Sequence, residues 1–426
     1  MEGPEAPQSI CVLGEQGSGI PTAALLALKL DQVCSADLSP SWNDPAHVQR
    51  EAAEPTIRTL VTGALNRKGF RLCAEPQAAD VFILAVPEDA WSDCCSSDDA
   101  KAVLRPWVKA IAPHLEPSTI VVLQSLVPPG TTDGPLRSLL SETLSDAEAA
   151  SLCVACISEP LSCGFRLYDM VSGSRIIGAH AEDYGQVAAI YSSFVEGELI
   201  EAEPRVAETA NIASRLMLAI RATGAYELST MALEQGVDPD ALLRIIRRTE
   251  QRASTKPLRP ESILECGIPP IVTACDAPSG MRLAAACQGA REELMRRVLS
   301  SARSLLSGIT DPKVVLLAPD SSFKGIASSS GFVQQLADHL ADEVQGCRAL
   351  VVHLPSATMD AETYTSSLRD SDLLIVLGGP RELASVKPEE IAPLMRRQVV
   401  LDPFRVLQRG HWVQRGFDLR GSIGAG

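Results

Sequence analysis

Apolar residues recur at intervals of three and four between Arg205 and Gln235, through Val206, Ala210, Ala213, Leu216, Met217, Ile220, Tyr226 and Leu228. The stretch holds no proline and one internal glycine, Gly224, so the spacing predicts a single long helix. About 31 residues at ~1.5 Å each give roughly 46 Å, longer than one small domain is wide. The apolar positions spread beyond one stripe, the pattern of a helix buried between two bodies. It reads as a spine between an N-terminal and a C-terminal α/β unit, with an ordinary core helix as the simpler account.

Before the spine, Gln8–Leu13 (QSICVL) is a short apolar strand that runs into Gly14, Gly17 and Gly19, and the TAALLALKL that follows is patterned as a helix. A second strand, Gln32–Ala36, ends at Asp37. Strand, glycine-rich turn, helix, strand and acidic residue form the layout of a dinucleotide-binding βαβ unit. The glycines let the backbone approach a pyrophosphate, the helix N-terminus supplies amide donors, and the acid accepts from ribose hydroxyls. Counted from Gly14, G-x-G-x-x-G puts Gln16 where the second glycine belongs, with Gly17 one residue late. A side chain there stands in the cofactor's path, so the spacing predicts the fold and leaves NAD binding open.

Asp80–Pro87 (DVFILAVP), continuous in hydrophobicity, reads as a buried parallel strand, with Thr119–Leu123 and Ser151–Ile157 as further strands. Ala90–Lys101 is polar, a loop or helix start, and Ala102–Leu115 a helix interrupted at Pro106. Pro128–Thr132 (PPGTT) is a turn into a helix, readable as a plain helix start or as a ligand loop. Glu159 lies just past the C-terminal end of a strand, where α/β sheets place their ligands, though a loop carboxylate is the plainer account. Arg175–Gly178 and the helix-like Ala181–Phe194 close this half. Past the spine come a shorter helix at Asp238–Arg248, an irregular stretch, and one or two helices over Met281–Leu306. Lys313–Ala318, Gly331–Val344, Ala349–Leu354, Asp372–Leu377 and Val399–Asp402 then repeat strands and helix as a second α/β unit, and the tail from Gly410 is expected to be loosely held.

At 426 residues the chain has room for two or three domains. Hydrophobic residues make up 46% and aromatics 4%, so packing must rest on Leu, Val, Ile and Ala. A net charge of −15 argues against nucleic acid or an anionic membrane as partner. No run of eighteen apolar residues occurs and MEGPEAPQS is polar, so neither a membrane span nor a signal peptide is expected. Without an export signal the twelve cysteines are expected to be reduced. Cys153, Cys156 and Cys163 lie close together, but no histidine or fourth cysteine completes a site and no metal is expected. The composition is that of a soluble, cytoplasmic protein.

Several stretches together, ICVLGEQGSGIPTAALLA, DVFILAVP, VVLQSLVPPGTT, SRIIGAH, IYSSFVEGE, the AET, AYEL and GVDP of the spine region, and SFKG at 322–325, resemble the UDP-glucose/GDP-mannose dehydrogenase family of nucleotide-sugar 6-dehydrogenases, most closely its UDP-N-acetylmannosamine branch. The similarity covers nearly the whole chain in the family's order. It implies an α/β fold of two Rossmann-like domains joined by a long central helix: an NAD-type domain over 1–203, a central helical domain over 204–306 and a UDP-sugar-type domain over 307–426. It also implies a homodimer through the central helix. Family chemistry oxidises a primary alcohol twice, to a carboxylate, with NAD. It uses a cysteine nucleophile, a helix-borne lysine and asparagine that stabilise oxyanions, and an acid/base relay.

By that resemblance Gly14, Gly17, Gly19, Asp37, Val86-Pro87, Ser125 and Pro129-Gly130 lie at the cofactor, Glu159 at the relay position and Lys324 at the substrate. Asn211 falls on the family's lysine and Arg215 on its asparagine. The spacing of four suits one helix face, but Asn211 carries no charge and Arg215 is bulky and always charged. The family's cysteine loop falls on Leu264–Ile271, where Gly267 takes the cysteine position and Cys266 stands one residue early. Cys266 is either a displaced nucleophile or a buried thiol. Ile271 replaces an aspartate, and the IASSSGF that follows Lys324 lacks the family's arginine.

Three readings are compatible with this pattern. The number of substituted positions favours a diverged homologue that keeps the fold, loses the double oxidation and acts on another small molecule. The alternative is an active NAD-dependent dehydrogenase of UDP-N-acetylmannosamine or UDP-glucose, with Cys266 as nucleophile and Lys256 or Arg252 in place of the lysine. The last is a non-catalytic partner of an active paralogue.

Overall fold

The computed structural model describes residues 9–14, 19–37, 55–91, 94, 96–158, 166–249, 282–319, 329–354, 366–378, 383 and 386–421. The chain divides into two compact units, with the division inside the long helix, between Leu216 and Met217.

The first unit is built on eight strands: β1 (Ile10–Leu13), β2 (Val33–Ala36), β3 (Phe70–Cys73), β4 (Val81–Leu84), β5 (Ile120–Leu123), β6 (Cys153–Ile157), β7 (Arg175–Gly178) and β8 (Leu199–Ala202). They lie in the order β3-β2-β1-β4-β5-β6-β7-β8, and every pairing is parallel except β6 with β7. The first six follow the doubly wound dinucleotide-binding order. Helices α1 (Gly19–Ala27), α2 (Pro55–Leu65), α3 (Ser97–Ile111), α4 (Arg137–Thr143) and α5 (Ala181–Tyr191) accompany them. Ile10, Val12, Val81, Ile83, Ile120 and Val122 join Ala23, Leu26, Ile57, Val61 and Ile190 of α1, α2 and α5 in one core. Their neighbours Cys11, Leu13, Phe82, Leu84, Val121 and Leu123 point to the other face and are equally buried. Coverage on both faces is why these strands are apolar throughout rather than alternating.

The long helix, α6, spans Pro204–Glu234. In the second unit α7 (Pro239–Thr249), α8 (Arg282–Leu306) and α9 (Ser329–Glu343) accompany β9 (Lys313–Pro319), β10 (Arg348–Leu354), β11 (Leu373–Val376), β12 (Val399–Leu401) and β13 (Asp418–Arg420). These strands form a parallel sheet in the order β10-β9-β11-β12-β13. No helix among the described residues is long and apolar enough to cross a membrane.

Three expectations are corrected. Helix α3 begins at Ser97, where the Ser96 hydroxyl accepts from the Asp99 N–H, and it runs through Pro106 without a break. The buried face of Leu104, Trp107, Val108 and Ile111 offsets the one backbone bond proline removes. The tail is not loose: α10 (Arg409–Gln414) and edge strand β13 pack there, with Trp412 and Phe417 buried and their rings 4.9 Å apart. Nor is the long helix apolar-buried all round, since Val206, Met217 and Met231 are exposed. Elements α2, β3 and β8 have no counterpart in the sequence reading. The edge strands β3 and β8 are half-exposed and carry little apolar pattern.

Candidate functional site

Gly14, Asp37, Ala85 and Gln124 each follow the last residue of β1, β2, β4 and β5. Backbone bonds line them up: Gly14 N–H donates to Ala36 O at 2.9 Å, Ala85 N–H to Leu13 O at 2.8 Å and Gln124 N–H to Leu84 O at 2.9 Å. This row is the carboxyl edge of the sheet, and the strand order reverses between β1 and β4, where open α/β sheets bind ligands. Gly14 has φ +134°, and a Cβ there would run into the Ala85 carbonyl. A Cβ on Gly19, the first residue of α1, would strike the Gly14 carbonyl. Only glycines let the Gly14 and Gly19 backbones approach their neighbours this closely. Asp37 is buried at the neighbouring strand end, and Ser125 Oγ, one residue past Gln124, is buried without a partner among the described residues. A tight backbone cradle, an adjacent carboxylate and an orphaned hydroxyl fit a dinucleotide.

The turn after Ser125 is tied to α6. Glu208 is 3% exposed, and its carboxylate accepts from Thr132 N–H at 2.8 Å, from Thr132 Oγ1 at 2.6 Å and from Gly130 N–H. Gly130 has φ +92°, a left-handed turn that glycine adopts without cost. Thr131 Oγ1 donates back to Pro128 O at 2.6 Å. The Gly130 and Thr132 amides of PPGTT are therefore engaged internally by a carboxylate and do not face a ligand. Burial pushes the Glu208 carboxyl above its ordinary range, and the Thr132 and Gly130 donors oppose that shift.

Helix α6 buries Ala207, Ala219, Ala222, Ala225, Tyr226 and Ala232, and with them a set of polar side chains. Glu208, Asn211 and Arg215, spaced three and four apart, are 3, 4 and 5% exposed and share one face. Asn211 Oδ1 is buried without a partner among the described residues. Val206, Met217 and Met231 lie within about 40° of one another on the opposite side, and are 58, 56 and 48% exposed.

Residues 8–195 match the family model "UDP-glucose/GDP-mannose dehydrogenase family, NAD binding domain". Over 425 residues the chain is 25% identical to a UDP-N-acetyl-D-mannosamine dehydrogenase of Methanococcus vannielii, covering 97% of this chain and 96% of that one. The chain is thus similar to the UDP-glucose/GDP-mannose dehydrogenase family along nearly its whole length, and its residues 8–195 match that family's NAD-binding domain. An NDP-N-acetyl-D-galactosaminuronic acid dehydrogenase of Ralstonia solanacearum is 31% identical across 57% of this chain and 58% of its own. The solved structure of a UDP-D-ManNAc dehydrogenase from Pyrococcus horikoshii superposes with a TM-score of 0.72 at 20% identity, over 98% of this chain and 99% of that one. The fold is thus shared end to end, and NAD is the cofactor of the N-terminal unit.

Of the expected site residues, Gly14, Gly19, Asp37, Pro87 and Ser125 are found along the one carboxyl edge, and Asn211 and Arg215 on the buried face of α6. Gly17, Glu159, Cys266 and Lys324 lie outside the described residues. Sequence reasoning missed Glu208; its signal was the AET it sits in, one turn ahead of Asn211 on the face that also carries Arg215. Cys153 and Cys156 point to opposite faces of β6, and burial pushes both thiols up to about 12. Cys11 and Cys34 are in register on β1 and β2, with Cys73 on β3 beside Ala36. A hydrogen bond from Cys34 and the nearby Arg71 charge hold Cys73 down to about 7 against burial.

Proposed function

We propose that the chain is an NAD-dependent nucleotide-sugar dehydrogenase that takes UDP-N-acetylmannosamine or a near analogue. The observation that carries this is the Gly14–Gly19 cradle with Asp37 beside it at the switch point of the sheet. The relatives named for UDP-N-acetyl-D-mannosamine support the sugar. Gly14 and Gly19 admit the pyrophosphate, Asp37 accepts from the adenosine ribose, and Pro87 and Ser125 line the second half of the cofactor site. Bound NAD supplies the hydride acceptor. Asn211 and Arg215 hold the family's amide and cation in exchanged order, one helical turn or about 6 Å apart, and donate to oxygen that gains negative charge. Glu159 serves as acid/base, Cys266 as the thiol and Lys324 as a substrate contact.

A second reading keeps the cofactor and loses the double oxidation. It is favoured by the neutral Asn211 at the lysine position, whose buried Oδ1 has no partner among the described residues. Calorimetry with NAD, followed by absorbance of NADH with UDP-N-acetylmannosamine and UDP-glucose, separates the two. Two NADH per sugar, lost in Cys266→Ala, supports the first; NAD binding without turnover supports the second. No NAD binding refutes both. The exposed line of Val206, Met217 and Met231 supports a second copy docking along α6 as a homodimer. The eight described cysteines, all unpaired as disulfides, support a cytoplasmic setting.

A further inference from the structure

We infer that Glu208 is a positioning residue: its carboxylate fixes the Pro128–Thr132 turn to the helix face that carries Asn211 and Arg215, and so aligns the cofactor half-site with those two side chains. The inference rests on the NAD-dependent reading above.

Three features of the geometry lead there. Both carboxylate oxygens are used, one by Thr132 through its N–H and hydroxyl, the other by the Gly130 N–H. A single side chain therefore holds two turn residues, and the turn cannot shift without breaking bonds in a buried place. Glu208 also precedes Asn211 by three and Arg215 by seven, so one rigid helix face carries the clamp and both candidate oxyanion donors. Lastly, the turn begins three residues after Ser125, at the end of β5, on the half of the sheet beyond the switch point. In a doubly wound sheet that half binds the second mononucleotide, which for NAD is the nicotinamide end.

The outer side of the turn is bounded as well. A Cβ added to Gly130 would stand 3.8 Å from Arg205 Nε and 3.9 Å from its Cζ, so this guanidinium lies beside the turn that Glu208 holds. Asp133 is the other charge acting on Glu208, and its repulsion adds to the strain on an ionised carboxylate there. An amide at 208 would keep one accepting oxygen and turn an N–H₂ toward a donor N–H, opening the turn on one side.

The test compares wild type, Glu208→Gln and Thr132→Val, the last removing one donor and leaving both amides in place. Calorimetry reads NAD affinity and, as an internal control, UDP affinity, well below each melting midpoint. The expected result for Glu208→Gln is an NAD affinity weaker by about tenfold or more, with UDP affinity unchanged. Thr132→Val should lie between the Glu208→Gln protein and wild type. A purely structural defect would weaken both ligands together, and that outcome overturns the inference. So does wild-type NAD affinity in Thr132→Val together with any Glu208 variant that folds. A wild type that binds no NAD overturns the cofactor reading itself, and this inference with it.

Discussion

Gly178→Ala probes the contact that places α6 on the first sheet. Gly178 ends β7, and a Cβ there would lie 2.5 Å from Cys156 Sγ, 2.7 Å from Ala207 Cβ and 2.9 Å from Pro204 Cα. The two carbon contacts are roughly 1 Å inside the ~3.5–4.0 Å optimum. Neither carbon sits on a flexible side chain, so the strand end or the first turn of α6 must move. Gly178 does not have a left-handed φ, so backbone strain adds nothing. Overpacking of this kind costs about 1–3 kcal/mol, and the smaller unfolded-state entropy of alanine returns about 0.4–1 kcal/mol. The net loss, centred on about 1.3 kcal/mol, lowers Tm by about 3–5 °C. Because Glu208 is one turn further along α6, the shift reaches the Pro128–Thr132 turn and NAD binding weakens too. Cys156→Ala in the same chain removes the nearest atom and recovers part of both losses. Thermal and urea denaturation with calorimetry make the measurement. A Gly178→Ala protein as stable as wild type, with unchanged NAD affinity, would refute the packing argument.

Asp37→Asn should weaken NAD binding by about 10- to 100-fold, the value of a hydrogen bond to a charged group, and calorimetry checks it; equal affinity removes Asp37 from the site. Cys153 and Cys156 favour the thiol in the folded state, so their contribution to stability is full below pH 9 and declines as pH rises from about 9 to about 12. Urea midpoints measured across that range should fall, and less steeply in a Cys153→Ala, Cys156→Ala double variant. Cys73, partly exposed and held down to about 7, should take up iodoacetamide first near neutral pH, as peptide mapping would reveal. Trp412→Ala should cost about 3–5 kcal/mol and expose the C-terminal segment to protease, whereas a loose tail would show neither effect.

Much of the architecture follows from local pattern. The period of α6, the continuous apolar runs of β1, β4, β5, β9 and β11, and the glycines around a strand-to-helix turn all act over a few residues, so they can be read along the chain. The same holds for Asp37 at the end of β2 and for the spacing of Asn211 and Arg215 on one face. Pairwise fit across the fold cannot be read that way. Nothing in PPGTT announces that its amides turn inward, because the acceptor is Glu208, 76 residues from Thr132. Nothing in the local pattern says which polar side chains will be covered, and on α6 Glu208, Asn211 and Arg215 are buried together with Ala207, Ala219 and Ala222. Pro106 passes through α3 because Leu104, Trp107 and Ile111 lie on a buried face that only the folded chain covers. The C-terminal strand holds because Trp412 and Phe417 find β12. Local periodicity specified which segments form and where a nucleotide can lie, while burial and hydrogen-bond partnering between remote segments decided which side chains the site uses, since both depend on neighbours that only the folded chain supplies.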